Sequence, residues 1–295
     1  MTSNIVIVTG PTASGKSGFA LSLAEKTGGV IINADSQQVY RDLRILTARP
    51  SPEEEARVPH RLYGLLPASE NCSAGKWLNL VRMEIDWARS QGKTPIITGG
   101  TGLYLKALLE GIAEIPDIDP AVRTQADNDY DVMGKEAFAE RLKAVDPEFF
   151  TRLSVFDRQR LIRAYAVWLG TGKSLSFWQK QGSTPPYPRD SFDMYKIDIP
   201  RELLYGRCNA RFDAMVEMGA LEEVRNLLSM TISDDMPIMK SVGVKELGAY
   251  IAGTLTLEQA IDKAKQATRN YAKRQLTWLR NQMADLKIVP FVTES

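Results

Sequence analysis

Apolar and polar positions along the chain follow two periods that alternate through its first hundred residues. NIVIVT (4–9), GVIIN (29–33), RLYGLL (61–66) and TPIIT (94–98) are short β-branched or apolar runs of strand type. After the first run, GFALSLAEKTG repeats its apolar residues at helical spacing and closes on Gly28 and Gly29. Between the third and fourth, SAGKWLNLVRMEIDWARSQG predicts a helix with Ser73 as N-cap and Gly92 as its stop. Such alternation predicts a parallel sheet with helices on its faces. The pattern changes at EIPDIDPAV, near 114–120, where prolines and acidic residues read as a linker. From 120 to about 182 only helical periodicity is found, and QGSTPPYPRDS reads as a second linker. Strand character returns at FDMYKIDI (192–199), long helices follow, and LKIVPFV (286–292) reads as a last strand. The predicted organisation is an α/β core, residues 1–115 plus 195–295, interrupted by a helical insertion domain at 116–194.

Composition narrows the class. A chain of 295 residues with 44% hydrophobic content can fill one large domain or two modest ones. No apolar run reaches the roughly 18 residues of a membrane span, and the first residues lack a signal-peptide pattern. The two cysteines, Cys72 and Cys208, are far apart and have no metal-ligand spacing, so a cytoplasmic location is expected. The single histidine, His60, excludes histidine-rich metal sites and reads as structural. A net charge of +1 gives no global argument for nucleic-acid binding, so any polyanion partner must be met by local clusters.

Four stretches carry chemistry. GPTASGKS fits the phosphate-binding pattern G-x-x-x-x-G-K-[ST], between a predicted strand and a predicted helix. Gly10, Pro11, Thr12, Ala13, Ser14 and Gly15 would turn backbone N–H groups toward phosphate oxygens. Lys16 would neutralise the outer phosphate, and the Ser17 hydroxyl would ligate Mg²⁺. The loop alone does not choose among a kinase, an NTPase and an enzyme with a diphosphate leaving group. Asp35 follows the second strand, at the end of the sheet where ligands bind. It reads as a general base or a water-mediated Mg²⁺ partner, or equally as an Asx-turn or a helix N-cap. PIITGGTGLY ends a strand in glycines and Thr101 where many P-loop NTPases carry an acidic Mg²⁺ residue. That predicts close backbone approach to a ligand, with Thr101 as a neutral donor, or else only a tight turn. Finally, 263–281 is amphipathic, with Lys265, Arg269, Lys273 and Arg280 on one face opposite Ala267, Tyr271 and Trp278. Arg152, Arg158, Arg160 and Arg163 form a second basic cluster in the insertion. Either cluster reads as an RNA or diphosphate surface, or as a solvated face.

Taken together, GPTASGKS, DSQQVY, GGTGLY, DRQRLIRAYAV, RFDAMVEMGALEEV, SVGVKELGAY and TRNYAKRQLTWLR resemble the tRNA dimethylallyltransferases, also called isopentenyl-tRNA transferases. They occur in that family's order over most of the chain. The sequence departs from the family pattern at Leu46, at the histidine–arginine pair His60–Arg61 where two histidines are common, and at Val244. The resemblance implies a P-loop NTPase-like parallel sheet carrying a helical insertion. It implies transfer of a dimethylallyl group from dimethylallyl diphosphate, with Mg²⁺, to the N6 amine of the adenosine 3′ of the anticodon. The tRNAs are those reading codons that begin with U. Asp35, Thr101, Lys16 and Arg211 are the implied catalytic set. The implied tRNA contacts are Asp35, Ser36, Gln37, Gln38 and Thr101 in the core, and Arg123, Gln159, Arg160, Leu161, Ile162 and Arg163 in the insertion. Lys273, Arg274 and Arg280, with Ser241–Glu246, complete them. A cytoplasmic monomer is expected. Two rival classes are a small-molecule kinase using ATP and an RNA-binding nucleotide sensor, and a related enzyme could prenylate free adenine nucleotides.

Overall fold

The computed structural model describes residues 4–151, 157–283 and 286–290. By its internal contacts the chain divides into two compact units, one of residues 1–109 and 187–295 and one of 110–186.

The larger unit is built on one sheet. Its strands are β1 (Ile5–Thr9), β2 (Val30–Asn33), β3 (His60–Arg61), β4 (Pro95–Gly99), β5 (Phe192–Asp198) and β6 (Lys287–Pro290). They are all parallel, in the order β3-β2-β4-β1-β5-β6. The first four strands of the reading are found where the runs placed them, except the third. The expected 61–66 strand shortens to His60–Arg61, because Leu62 and Gly64 both adopt left-handed backbone (φ 64° and 56°) and bend the chain out of the sheet. Only a bridge between Tyr40 and Leu66 continues it. Of the last predicted strand, 287–290 is formed, and Phe291 and Val292 lie outside the described residues.

The helices of this unit are α1 (Lys16–Thr27), α2 (Pro52–Arg57), α3 (Ala74–Ser90) and α4 (Gly102–Glu110, whose last residue belongs to the smaller unit). After the insertion come α9 (Arg201–Glu217), α10 (Ala220–Ser229), α11 (Val244–Ile251) and α12 (Leu257–Gln282). Their ends follow local chemistry. Ser73 accepts Lys76 N–H at 3.1 Å at the start of α3, Thr256 and Gln259 form a capping box on α12, and Gly28 (φ 61°) closes α1. On one face of the sheet, Trp77 is fully buried, stacks on Tyr104 at 4.5 Å and donates its indole N–H to Asn33 O at 2.9 Å. That bond fixes the carboxyl end of β2, where Asp35 begins.

The smaller unit is helical: α5 (Pro120–Val145, broken at Gly134), α6 (Pro147–Thr151), α7 (Arg158–Thr171) and α8 (Leu175–Lys180). Its own core joins Phe138, Leu142, Leu161 and Tyr165. Tyr187, inside the predicted second linker, belongs to the larger unit, where its hydroxyl donates to Asp86 Oδ1 at 3.2 Å and its ring meets Phe192.

Candidate active site

The crossing of the chain puts the site where strand order reverses. From β1 the chain passes over β4 to reach β2, and from β4 it crosses β1 to reach β5. The carboxyl ends of β1, β2 and β4 therefore converge, with Thr9 opposite Gly99 and Asn33 opposite Thr98.

At the end of β1, the loop turns through Ala13 (φ 62°) and Gly15 (φ 90°) into α1. Arg207 donates its Nε–H to Ala13 O at 2.9 Å, and Arg211 NH1 lies 3.5 Å from Thr12 Oγ1. Both arginines come from one face of α9, four residues apart. Ser14–Ser17, Arg207 and Arg211 enclose a cavity of about 380 Å³. Lys16 Nζ donates to Pro11 O at 3.3 Å. Its side chain keeps some exposure, but the ammonium end lies among protein atoms, and desolvation lowers its pKa to about 8 against the opposing pull of Asp35. Arg211 also lowers it, so the cradle holds excess positive charge before any ligand arrives.

At the end of β2, Asp35 is both a turn former and a wall of a cavity. Its Oδ1 accepts Gln37 N–H at 2.9 Å, and its own N–H is held by Asn33 Oδ1 at 2.8 Å. No helix starts there, and of the two local readings the structure forms the Asx-turn. Thr101 Oγ1 accepts Ser36 N–H at 2.9 Å and lies 3.3 Å from Ser36 Oγ. Gln37 accepts from Ser241 Oγ at 2.6 Å, and Gln38 donates to the carbonyls of Thr47 and Ala48 at 2.9 and 2.8 Å. Asp35, Ser36 and Gln37 line a second cavity of about 220 Å³ with Thr12, Arg211 and Arg274. Leu46, Phe212, Met215 and Val242 supply its apolar lining, and Thr47, Cys208, Lys240, Ser241 and Thr268 complete it. Tyr271 faces it too, with burial pushing its phenol well above the usual range, so it stays protonated.

The glycines at the end of β4 serve contacts within the protein that the sequence reading did not include. A Cβ at Gly99 would overlap the Ala34 backbone, one at Gly100 the Gln275 amide, and one at Gly102 the Trp278 indole. Gln275 is almost fully buried. It accepts Thr12 N–H at 2.8 Å and donates to Gly100 O at 3.0 Å, tying the phosphate loop to the end of β4. Sequence reasoning missed Gln275 and Arg207. The four-residue spacing of Arg207 and Arg211 was the available signal for one, and nothing local signalled the other.

The metal question can be tested on the residues present. Ser17 and Thr98 share a third cavity, of about 210 Å³, with Glu54 and Arg211. Thr98 Oγ1 is buried and has no hydrogen-bond partner. Among the described residues no group of three or more His, Cys, Asp and Glu side chains is found. Hard hydroxyl oxygens with few protein ligands suit a Mg²⁺ that keeps waters and takes the rest of its shell from a diphosphate.

Of the expected basic stripe on α12, Lys265 pairs with Asp213 at 2.7 Å, and Arg269 bonds Asn209 and Gln266. Both cations brace α12 and are not free for a polyanion; Lys273, Arg274 and Arg280 remain exposed. In the helical unit, Arg123, Gln159, Arg160 and Arg163 are exposed. Leu161 is fully buried and Ile162 packs against the same core, so neither presents its side chain to a partner. Arg158 is committed to Asp131 at 2.7 Å and Asp127 at 3.2 Å, and Arg152 lies outside the described residues.

The chain is similar to known proteins in sequence and fold. The IPP transferase family model matches residues 38–282. The chain is 49% identical over 280 residues to a tRNA dimethylallyltransferase of Rhodospirillum centenum, covering 95% of this chain and 89% of that protein. It is 46% identical over 281 residues to one of a Caulobacter strain, covering 95% and 91%. The full-length tRNA isopentenylpyrophosphate transferase of Bacillus halodurans superposes with a TM-score of 0.70 at 33% identity, covering 99% of this chain and 91% of that one. A eukaryotic dimethylallyltransferase acting on tRNA shares the fold with a TM-score of 0.85 at 24% identity, covering 98% and 74%. The chain belongs to the IPP transferase family.

Proposed function

We propose that this transferase moves the dimethylallyl group of dimethylallyl diphosphate to the N6 amine of the adenosine 3′ of the anticodon in tRNAs reading U-initial codons. The observation that carries this reading is the pairing of two cavities around one arginine. Arg211 lines the phosphate cradle and also the chamber that Asp35 shares with Leu46, Phe212, Met215 and Val242. A diphosphate seated on the loop would direct its allylic carbon into that chamber, where an extruded adenine could meet it.

An adenine amine is a weak nucleophile, because its lone pair is delocalised into the ring. As the N6–C1 bond forms, the C1–O bond to diphosphate breaks and N6 must lose a proton. Asp35 accepts that proton. The departing diphosphate collects negative charge, which Lys16, Arg211, Arg207 and the loop N–H groups stabilise. Ser17, with Thr98 nearby, would hold Mg²⁺, which when bound adds further charge neutralisation at the leaving oxygens. Thr101 keeps the Asp35 turn in place through Ser36. Lys273, Arg274 and Arg280 on α12, and Arg123, Gln159, Arg160 and Arg163 on the insertion, are the surfaces assigned to tRNA phosphates. The proposed form is a monomer, and the proposed location is the cytoplasm, with its tRNA. No helix among the described residues is long and apolar enough to cross a membrane.

The test is incubation with dimethylallyl diphosphate, Mg²⁺ and unmodified tRNA, followed by mass spectrometry of the nucleosides. A prenylated adenosine from tRNA is expected. Absence of that product, or prenylation of free AMP in its place, would refute the assignment. Phosphate release from ATP stimulated by a hydroxylated acceptor would put a kinase first.

A further inference from the structure

We propose that Glu223 is a positioning residue for the transfer: its carboxylate, reaching from α10, grips the backbone of residues 44–46 and through them steadies the Asp35 segment. The inference rests on the prenyl-transfer reading above. It adds a residue that lines neither the phosphate cradle nor the Asp35 chamber.

Residues 34–51 join β2 to α2 with no helix or strand beyond the bridge at Tyr40. Such a segment has no ladder of its own to satisfy its N–H groups. Those of Arg44, Ile45 and Leu46 all donate to one side chain. Glu223 Oε1 accepts from Arg44 and Ile45 at 2.5 and 2.8 Å, and Oε2 accepts from Leu46 at 2.9 Å. Successive backbone N–H groups that converge in this way make an anion site, and a carboxylate from a distant helix fills it. Hydrogen bonds to an ionised acceptor are also the stronger kind. All three contacts are to backbone, so they hold whatever side chain stands at 46, where this sequence departs from the family pattern.

The path from this grip to the reacting atoms is short. Ala48 N–H donates to Ile45 O and Arg49 N–H to Arg44 O, both at 2.9 Å, so residues 44–49 form one compact loop. Gln38 donates its amide to the Thr47 and Ala48 carbonyls of that loop, at 2.9 and 2.8 Å. The Asp35–Gln38 segment therefore leans on the loop at Gln38, as it leans on Thr101 at Ser36 and on Ser241 at Gln37. Leu46 and Thr47 also line the chamber beside Asp35. Without the carboxylate the loop keeps its internal bonds but loses these three bonds to α10, and it can shift as a unit. A misplacement of about 1 Å, caused far from the chemistry, can cost on the order of 10²-fold in rate. The phosphate cradle is built on other segments, Ser14–Ser17 and the arginines of α9, so donor binding should not depend on the grip.

The test compares wild type with Glu223→Gln, Glu223→Ala and a control, Glu222→Ala, which removes the neighbouring acid of α10 that pairs with Arg225. Three readouts are taken on the full chain. They are the single-turnover rate at saturating dimethylallyl diphosphate and tRNA, calorimetric affinity and stoichiometry for an unreactive alkyl diphosphate, and hydrogen exchange of the 44–46 amides. Glu223→Ala should lower the rate by about 10–100-fold, with analogue affinity and stoichiometry within about twofold of wild type and faster exchange at 44–46. Glu223→Gln keeps one acceptor oxygen and should lie between the two, and Glu222→Ala should match wild type. A single-turnover rate in Glu223→Ala within about twofold of wild type would overturn the proposal. So would unchanged exchange at 44–46, or analogue stoichiometry that falls in step with the rate, since that is the mark of general unfolding. Wild type that prenylates no tRNA would refute the prenyl-transfer reading itself, a result told apart from these by the wild-type arm alone.

Discussion

If Lys16 has a pKa near 8 in the free protein, donor binding must be coupled to protons. Desolvation disfavours its ammonium, and the neighbouring Arg211 adds to the effect, while Asp35 opposes both. A bound diphosphate reverses the balance by placing negative charge against the ammonium, so the pKa should return toward its ordinary 10.5. Below pH 8 the lysine is charged in both states, and affinity should be independent of pH. Above pH 8 each binding event must take up a proton, so affinity should fall about tenfold per pH unit until the bound-state pKa is reached. If that pKa is the ordinary 10.5, the full loss between pH 8 and 10.5 is roughly 300-fold.

The assay is calorimetry with an unreactive alkyl diphosphate, which is fully ionised above pH 8, in buffers of different ionisation enthalpy. Affinity flat from pH 7 to 9.5, with no proton uptake at pH 9, would refute the reasoning. Burial raises the Cys208 thiol and the Tyr271 phenol above their ordinary values, and Arg211 stays charged. The sign for stability is opposite. Between pH 8 and 10.5 the unfolded chain holds a proton on Lys16 that the folded apoprotein has lost, so apoprotein stability from this group should rise with pH in that window.

Asp35→Asn keeps the acceptor for Gln37 N–H and removes the base; single-turnover prenylation should fall about 10²–10⁴-fold with tRNA affinity nearly unchanged, and near-normal turnover would require another base. Gln275→Met leaves Thr12 N–H and Gly100 O without their partner, at about 1–3 kcal/mol each if they stay buried, so thermal stability should drop and donor KM rise. Equal donor KM in wild type and Gln275→Met would remove the tie from the site. Arg160→Ala with Arg163→Ala should weaken tRNA binding and lower the log–log salt slope by about one unit per lost phosphate contact, with calorimetric binding of the diphosphate analogue unchanged. Loss of analogue binding would refute the separation of RNA and donor surfaces.

Local patterns carried most of the fold and part of the site. The strand runs, the phosphate loop, the Ser73 cap and the strandless middle segment follow from rules that act within a few residues, and they are found as read. What failed depended on distant partners. RLYGLL has the composition of a strand, but Leu62 and Gly64 take left-handed backbone beside loop 38–49, which a local window does not see. The glycines of GGTG make room for Gln275 and Trp278, about 175 residues further on, a use that no local window shows. Half of the α12 stripe was read as free charge, because Asp213 and Asn209 belong to α9. The exception is local: the resemblance placed Leu161 and Ile162 in the expected RNA-binding set, although helical periodicity packs them against the core of the helical unit.

Arg211 is the point where these long-range placements meet. It lines the phosphate cradle, the Asp35 chamber and the Ser17–Thr98 cavity. One cation can serve three directions only if its donors diverge from a rigid plane and its charge survives burial. A guanidinium meets both conditions: it has five N–H donors, and although burial lowers its pKa, Asp35 counteracts this and it stays protonated. An ammonium meets neither, as Lys16 illustrates in the same surroundings. Arg211→Lys is therefore not a conservative change here. It should weaken diphosphate-analogue binding by tenfold or more at pH 7. With two buried lysines titrating, the decline above pH 8 should steepen from one decade per pH unit toward two. Calorimetry across pH 6.5–9.5 measures both. Affinity within about twofold of wild type at pH 7, with an unchanged slope, would mean that Arg211 supplies only charge at a distance, and the shared-arginine account of the site would fail.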